Sequence, residues 1–205
     1  MNRKSSSCER IMDAAEQVVL QEGASHMTMD AVAAKAGVSK GGLIYHFPSQ
    51  RDLLQAMLQR FIDRVETRMA QARTQLPESP ARSIKAYIHA WFTLGGEYRR
   101  TASALLAAIT REPELLQAVR LKHRAVLTEI VKAAPNSVQA MVLSLATEGM
   151  WMSELLDISP LTDSERERIQ RMLLKLADEW LGPSAMPATR KSACRRGKNS
   201  PNAII

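Results

Sequence analysis

Residues 28–47, TMDAVAAKAGVSKGGLIYHF, constrain the fold more than any other stretch. Met29, Val32, Ala33 and Ala36 recur at i, i+3, i+4 and i+7, which is one apolar face of a helix, and Thr28 stands where an N-cap belongs. Gly37 follows where the chain needs a left-handed residue to leave that helix, a conformation glycine takes without steric cost. Ser39 is placed to cap a second helix. Val38 before it and Leu43 after it are spaced as a hydrophobic staple that sets the angle of entry. Leu43 and Phe47 share the inward face, and Pro48 stops the helix. Lys40, Gly41, Gly42, Tyr45 and His46 are left facing outward. Two short helices on a tight turn make a helix-turn-helix, and the second has the shape of a major-groove reader.

The run AGVSKGGLIYHFPSQRDLL resembles the DNA-binding core of the TetR family of bacterial transcriptional regulators. The resemblance extends upstream through Arg10-Ile11-Met12-Asp13-Ala14-Ala15, Gly23, Thr28 and Val32-Ala33, so it covers residues 8–60. Three positions depart from it. Val19 stands where phenylalanine is usual, Ile44 where an aromatic is common, and Gln50, with Arg51 beside it, where a phosphate-binding lysine is usual. The resemblance implies an all-α protein: an N-terminal three-helix helix-turn-helix domain, then a helical ligand-binding and dimerisation domain.

The net charge of +7 looks like a nucleic-acid signature, but its distribution carries no such weight. Arg190, Lys191, Arg195, Arg196 and Lys198 lie in residues 183–205 with no acid among them, so five of the seven charges sit in that tail. Over residues 1–60, seven basic residues face six acidic ones. The motif argues for DNA; the charge does not. Pro183, Pro187 and Pro201 with Ser, Ala and Asn make the tail read as disordered, with a contact to DNA phosphate as the alternative role. No apolar run approaches the ~18 residues of a membrane helix, and no signal peptide opens the chain. Cys8 and Cys194 fall outside the periodic segments near opposite ends, which gives neither a disulfide framework nor a zinc site and makes a reducing cytoplasm the expected setting.

The remaining elements follow the 3.6 period, with about nine helices in all. A first helix capped by Ser5–Ser7 runs to Glu22 behind a basic arm of Arg3 and Lys4, with Ile11, Ala14, Ala15 and Val18 inward. A long helix from Ser49 to Leu76 carries Leu54, Met57, Leu58, Phe61, Val65 and Met69 as its stripe, and at ~1.5 Å per residue it is long enough to leave the DNA-binding unit. After the linker at Pro77-Glu78-Ser79-Pro80, Ser79 and Pro80 start a helix that Gly95-Gly96 ends. Shorter patterns cover Thr101–Ile109 and, opened by Pro113, a helix to Ala133 with His123 on its apolar stripe, where a hydrogen-bonded core position is expected. The last two helices are Val138–Asp157, with Val138, Met141, Val142, Leu145, Met152, Leu155 and Leu156 inward, and Asp163–Leu181, opened by a Thr162/Glu165 capping box. The domains expected are 5–50 for DNA binding, with the connecting helix continuing to about 65, 51–182 for ligand binding and dimerisation, and the 183–205 tail.

Enzyme chemistry finds no foothold. His26, His46, His89 and His123 form no metal motif, Gly41-Gly42 is not a phosphate loop, and Ser39 with His46 seven residues on has no orienting acid. No catalytic residue, metal or cofactor is expected; the alternative class is an all-α enzyme or binding protein reusing the scaffold. The expected function is a DNA-binding repressor released from a palindromic operator by a small molecule. Lys40, Tyr45 and His46 are the candidates for base edges, Gly41 and Gly42 for close backbone approach, and Thr28, Ser39, Gln50 and Arg51 for phosphate. A homodimer through the helices near 138–157 and 163–181 presents two recognition helices to the two half-sites. Trp91, Phe92, Tyr98, Met141, Glu148, Trp151 and Met152 are the expected ligand-site residues. Glu97, Glu148 and Glu154 near the aromatic faces point to a lipophilic cation as inducer.

Overall fold

In the computed structural model, which describes residues 3–109 and 112–183, the chain is all-helical. The α-helices are α1 (Arg3–Glu22), α2 (Met29–Ala36), α3 (Lys40–His46), α4 (Gln50–Gln75), α5 (Arg82–Phe92), α6 (Gly96–Ile109), α7 (Leu116–Ala133), α8 (Ser137–Leu155) and α9 (Asp163–Leu181). One-turn 3-10 helices at Ala24–His26 and Pro113–Leu115 lead into α2 and α7. None of the described helices is long and apolar enough to cross a membrane. The basic tail lies outside the described residues apart from Pro183.

Local chemistry sets the boundaries. Thr28, Ser39 and Ser49 accept from the backbone N–H of Ala31, Gly42 and Asp52 respectively, and Gly37 sits at φ 62° with its N–H on the carbonyls that end α2. The Thr162/Glu165 capping box forms in both directions. The Glu165 carboxyl, bonded to the Thr162 backbone N–H and hydroxyl, is held below the usual carboxylate range.

Several expectations change. Arg3 and Lys4 fall inside α1 rather than ahead of it, and Cys8 is a helical residue. Gly96 begins α6 instead of ending α5, which stops at Phe92. Helix α5 starts at Arg82, whose N–H bonds the Ser79 carbonyl, with no side-chain cap. On α8 the inward face is Ala140, Leu143, Ser144, Thr147, Trp151 and Leu155; Val138, Met141, Val142, Leu145, Met152 and Leu156 are exposed. Ala140, Ser144 and Thr147 let α8 lie close to α5 beside the buried Leu143, Trp151 and Leu155, and leave the other large apolar residues outside.

Two cores result. The N-terminal one gathers Ile11, Ala15, Val18, Val32, Leu43, Phe47, Leu54 and Met57, and Leu105 of α6 and Leu115 complete it. Val19, small for its place, is buried there too. The C-terminal core is built on Ile84, Tyr87, Ile88, Leu143, Leu173, Ala177 and Leu181. Helix α4 runs through both.

A charged clamp fastens α4 to α1. Arg60 is buried, and its Nη1 donates to Asp13 Oδ1 at 2.7 Å and Glu9 Oε2 at 3.2 Å while Nη2 lies 2.6 Å from Glu16 Oε1. Burial lowers the pKa of this guanidinium, but the bonds to Glu16, Asp13 and Glu9 outweigh it and hold the pKa above its ordinary value. Arg60→Ala leaves Glu9 and Asp13 on one face of α1 without their counter-charge, and Glu16 with Arg64 alone at 3.2 Å. Breaking a buried pair costs ~3–5 kcal/mol, and Glu9 and Asp13 are half exposed, so about 3 kcal/mol is expected. In a chain of this size that corresponds to roughly a 6–12 °C fall in Tm, read by thermal denaturation.

Candidate nucleic-acid interface and ligand cavity

Helix α3 stands on the N-terminal core by Leu43, which is fully buried, with Val38 packed beside it. Its other side presents Lys40, Gly41, Ile44 and Tyr45, all exposed. His46 turns inward instead: it is half-buried, its Nδ1 lies 3.3 Å from Cys8 Sγ on α1, and the Tyr45 ring meets its edge at 5.2 Å. The two glycines separate as well. A Cβ on Gly42 would meet Ser39 Oγ at 3.2 Å, so Gly42 serves the cap, whereas a Cβ on Gly41 meets nothing within 4 Å. Gly41 therefore has no internal reason to be glycine.

Lys40, expected on a base edge, and Gln50 and Arg51, expected on phosphate, have partners within the chain. Lys40 Nζ pairs with Asp30 Oδ1 at 2.9 Å, both side chains well exposed. Gln50 Nε2 donates to the Met27 carbonyl at 2.7 Å, which ties the start of α4 to the loop before α2. Arg51 reaches across the molecule, with Nη2 2.7 Å from Glu114 Oε2 and Nε 3.3 Å from Glu112 Oε2, just ahead of α7. Hydrogen bonding to Glu114 and its charge raise the Arg51 pKa.

In the C-terminal half, α4 to α8 enclose a cavity of about 380 Å³. Phe61, Val65 and Met69 of α4 face Leu105 and Leu106 of α6 and Val119 and Val126 of α7 across it. Trp91 and Trp151 form its aromatic wall, with ring centroids 4.9 Å apart, and Tyr87 meets Trp91 edge-on at 5.9 Å. The indole Nε1 of Trp91 is buried beside the Tyr87 phenol. Of the two carboxylates in this lining, Glu66 and Glu148, the one beside the tryptophans is Glu148, whose Oε1 accepts from Tyr87 Oη at 2.7 Å and lies 2.9 Å from His123 Nε2. Burial, and then Glu148, push the Tyr87 phenol well above its usual range, so it stays a donor. Lys122 pairs with Glu66 at the edge of the cavity. The size and lining suit a small, mostly apolar molecule with one polar group.

The N-terminal helices have a counterpart in known proteins: residues 11–57 match the family model for bacterial regulatory proteins of the tetR family. Residues 81–178 match that for the Tetracyclin repressor-like C-terminal domain. The chain belongs to the TetR family. It is a DNA-binding transcriptional regulator. Among TetR-family relatives, the transcriptional regulator EthR of Mycolicibacterium smegmatis is 26% identical over 164 residues, 76% of this chain and 75% of the relative. The multidrug binding protein EbrR, in a crystal structure with imidazole, is 26% identical with a TM-score of 0.62, covering 93% of this chain and 99% of that one. A second EbrR structure, with ethidium, is 24% identical with a TM-score of 0.61, over 83% and 98%. A transcriptional regulator from Pseudomonas aeruginosa PAO1 shares the fold at a TM-score of 0.69 and 16% identity, over 88% and 94%.

Of the expected ligand-site residues in this TetR-family chain, Trp91, Glu148, Trp151 and Met152 line the cavity. Phe92, Tyr98 and Met141 do not. Phe92 is buried beneath the Arg166 guanidinium at 4.9 Å, Tyr98 packs on Phe61 outside the cavity, and Met141 is exposed on the outer face of α8. Glu154 is neutralised by Arg166 at 2.6 Å and Arg99 at 2.9 Å, so it brings no free charge to the aromatics. The side chain of Glu97 lies outside the described part. His123, expected in the core, is instead a wall residue of the cavity, with half its surface exposed. Tyr87 is the residue that sequence reasoning missed: its helical spacing reads as core, and only the fold brings it to Glu148.

Proposed function

We propose that this regulator is a homodimeric, cytoplasmic repressor without catalytic activity, released from a palindromic operator when a small molecule fills the α4–α8 cavity. The observation that carries the reading is shared structure. Leu58, Ile62 and Leu105 belong both to the core under the recognition helix and to the cavity wall. A ligand that repositions these residues changes the seat of α3, and it shifts the equilibrium by no more than its differential affinity for the two arrangements. The domain division follows the same line: residues 5–50 read DNA, 51–182 bind ligand and pair, and α4 belongs to both.

In this reading Lys40 and Tyr45 contact base edges, Gly41 admits the DNA backbone, and Thr28, Ser39, Gln50 and Arg51 meet phosphate. Asp30, the Met27 carbonyl and Glu112 with Glu114 occupy three of those groups in the DNA-free protein. His46 holds α3 to α1 instead of reading a base. A lipophilic cation is the inducer class that fits best, because Glu148 is the carboxylate beside the two tryptophans. The EbrR complex with ethidium, an aromatic cation, supports this choice.

Sequencing the DNA that copurifies with the protein supplies the operator. Tryptophan fluorescence is then followed during titration with lipophilic cations, anions and neutral compounds, alongside release of that operator. Trp91 and Trp151 quench with cations that also release DNA if the proposal holds. Quenching by anions or neutral compounds alone refutes the cation class. A compound that releases DNA with no spectral response refutes the placement of the ligand.

A further inference from the structure

The carboxylate in the cavity is already partnered, and its partners are of two kinds. Tyr87 comes from the body of the C-terminal core and is almost fully buried. It is a fixed neutral donor. His123 sits on α7 at the cavity wall with 44% of its side chain exposed, so it has room to leave. Both bonds end on Oε1 of Glu148, which leaves Oε2 for another donor. Among the described residues, the remaining charged groups around the cavity are Glu66 of α4 and Lys122 of α7, and these pair with each other. Among the described residues helix α6 contributes Ala102, Leu105 and Leu106 to the lining, and α5 adds the indole of Trp91 to Tyr87.

We propose that His123 is a displaceable counter-ion for Glu148, so that a cationic ligand binds by exchanging its charge for the imidazolium. This rests on the reading of the cavity as the ligand site and of cations as its ligands. Protonated, His123 neutralises Glu148 and competes with the ligand; neutral, it is a hydrogen-bond donor that costs little to move aside. Histidine is the side chain whose ordinary charge change falls between pH 5 and 8. Affinity for a permanent cation therefore rises from pH 5.5 to 8.0, and binding at the lower pH releases a proton. The exposure of the imidazole limits the competition to the worth of a partly solvated pair, about fivefold in Kd. The same exchange makes His123 a specificity determinant: a neutral apolar molecule leaves the Glu148–His123 pair in place and gains nothing from a change in pH.

The experiment uses the full-length protein and two fluorescent probes, ethidium and the neutral N-phenyl-1-naphthylamine, titrated at pH 5.5, 6.5, 7.2 and 8.0. For the wild type, ethidium is expected to bind about fivefold more tightly at pH 8.0 than at 5.5, with naphthylamine binding flat. His123→Gln, which keeps a donor and loses the titration, binds ethidium at every pH about as tightly as the wild type does at pH 8.0. Glu148→Gln loses about tenfold in ethidium affinity at pH 8.0, keeps naphthylamine binding and shows no pH dependence. An unchanged pH slope in His123→Gln, or a flat wild-type profile with ethidium bound, overturns the exchange and leaves the cavity as the ligand site. Binding of naphthylamine without ethidium at any pH overturns the cation class and the exchange with it. Failure of both probes in a protein that binds its operator overturns the ligand site itself.

Discussion

Leu145→Glu is expected to turn a dimer into a monomer and to lower operator affinity by a factor of 100 or more. Leu145 is 63% exposed in the protomer, on a face of α8 where Val138, Met141, Val142 and Leu156 are exposed as well, and Met172 of α9 is also exposed. So many large apolar side chains on one helix are unusual for a surface that meets only water. In the proposed homodimer, symmetry mates of α8 and α9 bring these side chains together as a four-helix interface. There a carboxylate at Leu145 would be buried against its own copy, with two like charges meeting in an apolar setting. Losing the partner removes the second recognition helix, and linked binding of two half-sites raises affinity by about 10²–10⁴ over one. The readouts are the mass in light scattering and the Kd for the recovered operator, whose half-sites then lie ~34–36 Å or a multiple apart. A variant that stays dimeric and binds operator as the wild type does places the interface elsewhere.

Helix α8 also shows where the sequence stops being informative. Its apolar residues run around most of the helix, so the 3.6 period offers two faces and does not say which is core. The choice falls on the face with Ala140, Ser144 and Thr147 because α5 lies close there, and closeness is a tertiary fact. The large residues go to the face that composition alone assigns to the interior. The same limit applies to His123, which sits on an apolar stripe in either case; whether that stripe meets side chains or a cavity depends on five helices at once. Most of the local determinants agree between sequence and structure. Thr28, Gly37, Ser39 and Thr162 act within four residues of themselves, and each cap forms as spaced, whereas Ser5–Ser7 fall inside α1 and Ser79-Pro80 stand ahead of an α5 without a side-chain cap. Pairs such as Arg60 with Glu16 and Arg51 with Glu114 join residues far apart in the chain, and no periodicity marks them. Gly96 fails differently. Glycine both ends and begins helices, and the pair Gly95-Gly96 is a boundary whose side the sequence leaves open.

The recognition helix gives the second large effect. Tyr45 is 70% exposed on the side of α3 away from Leu43, so Tyr45→Ala removes little from the core and a large contact from whatever α3 meets. A base contact is worth ~1–3 kcal/mol of discrimination, so the ratio of operator to random-DNA affinity is expected to fall roughly 5- to 150-fold while random-DNA affinity stays nearly constant. Arg51→Ala is the contrasting case. A phosphate contact carries no sequence information, so its loss weakens all DNA alike and lowers the salt slope by about one. In the free protein, however, Arg51 is held by Glu112 and Glu114, which the proposed phosphate contact would have to displace. Replacing both with glutamine is therefore expected to strengthen binding to every sequence, the opposite sign from Arg51→Ala at the same site. Fluorescence anisotropy on operator and scrambled duplexes at two salt concentrations measures all three variants together. An unchanged operator-to-random ratio in Tyr45→Ala removes Tyr45 from the base-reading set. Weaker binding in the double glutamine variant shows instead that the two glutamates position Arg51 for DNA and do not compete for it.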